Sequence, residues 1–169
     1  MRWQQRCEDA AVTAFEVRLA RPEDGRKLAE LFAAVAEERD GIATEPPVDV
    51  DARTEQFARS TAGTILAVAA RELVGSLHVA ANRFGVGELG MAVARPWRGH
   101  GVGSALLTAA IEKARGEGLH KLSLDVFPHN EAAIALYRKF GFVQEGRRVK
   151  HYRRASGELW DSIVMGLLL

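Results

Sequence analysis

The sequence predicts an α/β protein, a mixed sheet carrying helices on both faces. Three observations predict it. Alternating or short apolar runs at Phe15–Ala20, Thr64–Ala70, Leu73–Ala81 and Glu88–Val93 come early, spaced as hairpins. Helix patterns at Val102–Gly116 and Asn130–Gly141 then flank a strand signal at Lys121–Phe127. The chain closes on two long strand signals, Phe142–Tyr152 and Glu158–Leu168, around a turn at Ser156–Gly157.

Each element has a local cause. Phe15–Ala20 alternates, as a half-buried strand does. Arg21–Asp40 reads as a helix: Pro22 stands near its start, acids crowd the first turn, and Leu28, Leu31, Phe32 and Val35 recur at helical spacing. Pro46 and Pro47 make Thr44–Asp51 a loop, and a short helix is expected over Ala52–Ser60. Thr64–Ala70 and Leu73–Ala81 form a hairpin, with Arg71 and Glu72 at its turn. From Val102, Leu106, Leu107, Ala110, Ile111 and Ala114 share one helix face that stops at Gly116–Gly118. The next helix carries its own punctuation: Asn130 as N-cap, Glu131 in the first turn, Arg138 and Lys139 in the last, Gly141 at the C-terminal cap.

A chain of 169 residues accommodates one core, and no composition shift divides it. We expect an extension over residues 1–14 and a single domain over 15–169. A net charge of +1 lacks the basic excess of a nucleic-acid binder. No apolar run reaches the about 18 residues that span a bilayer. The first residues lack the apolar segment of a secretory signal, so the cytoplasm is the expected compartment. Cys7 is the single cysteine, and the five histidines have no metal-ligand spacing, so no metal is expected. The basic run Arg147–Arg154 could attract an acidic partner, but a solvated hairpin face explains it better.

One stretch demands more than a fold. In Arg95–Leu107, Gly99, Gly101 and Gly103 stand beside Arg98 at a helix start. A helix start presents unpaired N–H groups and partial positive charge, so a strand, a glycine loop and a helix in that order can hold an anion. The same glycines also fit a tight turn that needs only backbone freedom. The spacing is neither that of a Walker loop nor the Rossmann fingerprint.

Arg98-Gly99-His100-Gly101-Val102-Gly103 resembles the R/Q-x-x-G-x-G/A signature of the GNAT N-acetyltransferase superfamily. Asn130, Ala133, Tyr137, Gly141 and Phe142 resemble its second landmark, N-x-x-A-x-x-x-Y followed by G-F. The resemblance covers Phe15 to Leu169. It implies the GNAT fold, a mostly antiparallel twisted sheet of about seven strands with a splayed central pair. It further implies acetyl-CoA as cosubstrate. The glycine loop (Arg98, Gly99, Gly101, Val102, Gly103 and Ser104) would hold the pyrophosphate. Met91, Ala92 and Val93 would pair with the pantetheine arm, and Asn130 and Ala133 would contact it.

The resemblance makes Tyr137 the acid that protonates the departing thiolate; periodicity alone makes it a core tyrosine. Glu88 stands near the family's catalytic glutamate and equally fits a solvated turn. Glu45, on the loop bordering the acceptor site, is a candidate substrate contact or mere loop decoration. Neutralising a lysine-like amine at pH 7 costs about 4–5 kcal/mol, so some base is required. The expected activity is direct acetyl transfer from acetyl-CoA to a small primary amine, cationic because Glu45 and Glu88 place negative charge toward the acceptor, and amino-acid-like by resemblance to small-molecule members of the family. The alternatives are acetylation of protein N-termini or lysines, and acyl-CoA binding without catalysis. The apolar end Ser162–Leu169 suggests a homodimer.

Overall fold

The computed structural model describes residues 14–169, so Cys7 and nearly all of the expected extension lie outside the described residues. Seven strands form one sheet in the order β1-β2-β3-β4-β5-β7-β6. Strand β1 is Glu16–Leu19, β2 Thr64–Ala69, β3 Glu72–Ala81, β4 Val86–Val93, β5 Lys121–Val126, β6 Val143–Arg153 and β7 Leu159–Leu168. Every neighbouring pair is antiparallel except β4–β5. The helices are α1 (Gly25–Ala36), α2 (Val50–Arg59), α3 (Val102–Gly116) and α4 (Glu131–Lys139).

The expected first helix is shorter at both ends. Residues Pro22–Asp24 form a 3₁₀ turn, and the Asp24 carboxylate accepts from the Arg21 amide at 2.8 Å and from both Arg18 terminal nitrogens at 2.7 Å. Those bonds to Arg18 hold the Asp24 carboxyl below the usual carboxylate range despite burial. At the other end α1 stops at Ala36, and Arg39 turns left-handed at φ 62°. Residues 38–45 are therefore loop. Helix α2 starts two residues early because Asp49 accepts the Ala52 N–H and caps it.

The first hairpin turns one residue earlier than expected. Ala70 (φ 46°) and Arg71 (φ 75°) make a two-residue turn, while Glu72 already pairs with Ala69.

Helix α3 covers one face of the sheet, and Leu106, Leu107 and Ala110 are fully buried there. Gly75 permits that approach, since a Cβ would lie 2.8 Å from Val102. Helix α1 covers the opposite face through Leu31 and Val35 against Ala92. The apolar β7 is not an edge, because β5 and β6 flank it. The edges are β1 and the basic strand β6 instead. The β7 sequence is apolar because both neighbours and the core bury it, which removes the reason the sequence suggested for self-association.

Candidate functional site

The site begins where the sheet opens. Strands β4 and β5 pair only at Val86–Glu88 with Lys121–Ser123. Beyond Glu88, β4 stays on β3 and β5 stays on β7, and the two strands diverge. Met91, Ala92 and Val93 lie in the diverged part, each lining a cleft of about 910 Å³. Backbone along such an edge is free to pair with an extended ligand.

At one end of the cleft stands the start of α3. Its N-cap is Gly101, φ 84°, and no side chain caps the helix. Gly99 is also left-handed, at φ 77°. A Cβ at Gly99 or Gly101 would meet nothing within 4 Å, so these glycines border open space rather than packed protein. Gly103 differs. A Cβ there would sit 2.9 Å from Leu136, so this glycine lets α4 close on α3. Gly99, Gly101, Gly103 and Ser104 all line the cleft, whereas Val102 is buried in the core below it.

Arg98 lines the cleft but its guanidinium is engaged. Nη1 and Nη2 donate to the two Glu38 carboxylate oxygens at 2.7 and 2.9 Å, and Nε donates to the Val93 carbonyl at 3.0 Å. Arg95 adds bonds of 3.2 and 3.3 Å to the same Glu38. Burial opposes the charge on Glu38, yet Arg98 and Arg95 outweigh it and hold the carboxyl below its ordinary range.

Helix α4 forms another wall. The Asn130 side chain accepts the Ala133 N–H at 3.2 Å, so its cap role is realised, and both residues also line the cleft. Tyr137 is 6% exposed, packs on Phe142 with ring centroids 5.7 Å apart, and lines the cleft. Burial pushes its phenol up to about 12. The two expectations for Tyr137, core residue and cleft residue, describe one position.

The predicted acids fall elsewhere. Glu88 is exposed at the last β4–β5 pair, opposite Ala80 and Ser123, one strand step from the cleft-lining Gly90. The Glu45 carboxylate accepts the Ala155 N–H at 2.7 Å and lies 3.4 Å from Arg154 Nε, tying its loop to the β6–β7 hairpin. Neither lines the cleft.

Prominent among the lining residues that sequence reasoning missed are four polar ones, Asp125, Ser162, His78 and Asp40. Asp125 lines the cleft, with Oδ1 accepting the buried Ser162 hydroxyl at 2.7 Å and Oδ2 3.0 Å from Arg148. His78 shares a 2.9 Å hydrogen bond with Thr64, and burial lowers its pKa. The fourth is Glu38's neighbour Asp40, whose carbonyl accepts from His129 Nε2 at 2.9 Å. A signal existed for Asp125 and His78: each interrupts an apolar strand that a doubly covered sheet would leave apolar.

Among the described residues, no group of three or more His, Cys, Asp or Glu could hold a metal, and no helix is long and apolar enough to cross a membrane.

The split strand pair, the uncapped helix start and the cleft-lining tyrosine share one cleft on an α/β sheet. A model of the acetyltransferase (GNAT) family matches residues 25–142, and the chain belongs to that family. An L-methionine sulfoximine/L-methionine sulfone acetyltransferase of Pseudomonas paraeruginosa is 34% identical over 118 residues, covering 63% of this chain and 67% of that protein. The crystal structure of a ribosomal-protein-alanine N-acetyltransferase from Brucella melitensis superposes with a TM-score of 0.80 at 28% identity, over 90% of this chain and 99% of that one. A Salmonella typhimurium protein determined with its cofactor acetyl-CoA has a TM-score of 0.80 at 21% identity, over 92% and 94%. Three further curated relatives are matched over only 32%, 15% and 30% of their own lengths, so the chain spans about a third of them or less.

Proposed function

We propose that this protein transfers acetyl from acetyl-CoA directly to the primary amine of a small molecule, an amino acid or amino-acid-like compound. One observation carries the proposal: the diverging β4–β5 edge, the uncapped start of α3 and Tyr137 share a single cleft. Acetyl-CoA supplies the acetyl group as a thioester. The backbone N–H groups at Gly101, Val102, Gly103 and Ser104 hold its pyrophosphate, since nothing in the protein caps them. Met91, Ala92 and Val93 pair with the pantetheine amides. Asn130 and Ala133 border that arm while serving as the α4 cap.

The amine attacks the thioester carbonyl, a C–N bond forms and the C–S bond breaks. Tyr137 faces the departing sulfur. Handing a proton from a phenol at about 12 to a thiolate near 8.5 is uphill by about 5 kcal/mol. Tyr137 therefore acts as a hydrogen-bond donor that stabilises developing charge, and the proton completing the thiol comes ultimately from the amine. Glu88, one strand step from Gly90, takes the ammonium proton through water.

Asp125 is paired with Arg148 and Arg98 with Glu38, and Lys139 lines the cleft on the α4 side, so Asp40 is the carboxylate at the acceptor end that would draw a cationic amine. Residues 40–44 cross the acceptor end and are tied to His129 and Arg154, which narrows that end in favour of a small molecule over a peptide. The experiment is a side-by-side rate comparison of amino acids, other primary amines and peptides with varied N-termini. Small amines are expected to lead; peptides turning over about a hundredfold faster, some 3 kcal/mol in transition-state binding, would overturn the choice.

The proposed single domain over 15–169 acts in the cytoplasm without metal. The homodimer pairs through β6, one of the two sheet edges, where Val143 is 61% and Val149 70% exposed. Light scattering at tens of micromolar, a range set by ordinary dimer affinities, decides it.

A further inference from the structure

The Arg98 guanidinium, which the motif points toward the cofactor phosphate, does something else here. We propose that Arg98 and Glu38 are a positioning pair that couples the cofactor loop to the wall of the acceptor pocket. The inference rests on the acetyl-CoA reading above and adds a role which that reading does not contain.

Both partners are committed to each other. The Arg98 fork meets both Glu38 oxygens at 2.7 and 2.9 Å, and Nε is spent on the Val93 carbonyl at 3.0 Å. Such two-point pairing fixes orientation as well as distance, which a lysine cannot reproduce. The Glu38 side chain is only 12% exposed, so screening by solvent is reduced.

Position gives the pair its consequence. Arg98 immediately precedes Gly99 and Gly101, the left-handed residues of the cofactor loop. Glu38 immediately precedes Arg39, where the chain turns left-handed and becomes the cleft-lining segment 40–44. That segment is also anchored from the β6–β7 hairpin, at Arg39 beside Glu38 and at Ala43 farther along. Arg154, almost fully buried, donates to the Arg39 carbonyl at 3.1 Å and the Ala43 carbonyl at 3.2 Å, and its guanidinium lies 4.4 Å from the centroid of the Trp160 ring. The acceptor wall thus hangs between a fixed hairpin and the cofactor loop. Any shift of the loop on an incoming anion is transmitted to the wall through the Glu38 carboxylate, which Arg98 grips at two points and Arg95, from the turn before the loop, at 3.2 and 3.3 Å. Acetyl-CoA binding should therefore order the acceptor pocket.

The test uses the full chain and the variants Glu38→Gln, Arg98→Lys and Arg98→Gln. Acetyl-CoA affinity is measured by calorimetry, acceptor KM and kcat with the fastest amine found, and hydrogen exchange of residues 38–45 with and without CoA. In the wild type, CoA is expected to slow exchange across 38–45. In Glu38→Gln and Arg98→Lys that protection is lost and acceptor KM rises about tenfold, while acetyl-CoA affinity changes less than about threefold. A purely structural role would not separate these readouts. Protection over 38–45 that persists in Glu38→Gln overturns the coupling. So does a tenfold loss of acetyl-CoA affinity in Arg98→Gln that Glu38→Gln does not share, which would return Arg98 to the phosphate. A wild type that fails to bind acetyl-CoA would instead defeat the underlying functional reading, and the coupling with it.

Discussion

Two helices begin at the same cleft and solve the problem of their first N–H groups in opposite ways. Helix α4 caps itself: the Asn130 side chain accepts the Ala133 N–H. Helix α3 does not, having Gly101 as N-cap with no side chain to offer and open space where a Cβ would stand. A helix start without an internal partner is tolerated where water or a ligand satisfies it. The contrast shows which end the fold keeps for itself and which it leaves for an anion. It also explains why substitution at the two N-caps has different consequences.

The largest expected effect breaks the open end. Gly101→Val puts a β-branched residue at φ 84° and fills the space, and should lower acetyl-CoA affinity more than a hundredfold, about 3 kcal/mol. Gly101→Asn separates space from strain, since Asn tolerates the left-handed region. It should retain its melting temperature yet still bind weakly in calorimetry. Wild-type affinity in a folded Gly101→Asn protein would mean that the open end is not the phosphate site.

The next effect lies between the two helix starts. Tyr137→Phe should reduce kcat by about a hundredfold with little change in KM for acetyl-CoA, because the ring packing on Phe142 survives. Burial raises the folded phenol to about 12 from an ordinary 10. The folded state therefore keeps a proton that the unfolded chain loses, so stability present below pH 10 declines as pH rises toward 12. The loss amounts to about 3 kcal/mol, and Tyr137→Phe should lack it. Denaturant titrations of both proteins from pH 9 to 11.5 read the difference in slope.

The smallest effect breaks the self-capped end. Asn130→Ala should cost about 1 kcal/mol and lower the melting temperature by about 2–4 °C. Acetyl-CoA affinity should move less than it does in Gly101→Asn. The reverse order would make Asn130 a ligand contact first and a cap second.

How far the sequence reached depended on the range of the interaction. The α4 cap was legible because Asn130 and Ala133 are three residues apart, and the α3 helix because its apolar face repeats every turn. The early end of α1 was not, since the acidic run through Asp40 reads as helix. Only the capture of Glu38 by Arg98 and Arg95 gives the chain a reason to leave it. Glu45 looked like an acid facing the acceptor until the hairpin amide of Ala155 and the Arg154 guanidinium claimed it from 110 residues away. The shift of the first turn to Ala70–Arg71 has the same origin, a register set across the β2–β3 ladder rather than by turn residues alone.

By itself, then, the sequence determined the helices, most strand positions, the glycine loop and the family, because periodicity, capping and backbone freedom act within a few residues. Tertiary structure decided three matters: that β4 and β5 part after Glu88, that β7 is buried between neighbours, and that Arg98 answers to Glu38. Each depends on groups brought together across the sheet, where burial and geometry choose among partners that are equivalent along the chain.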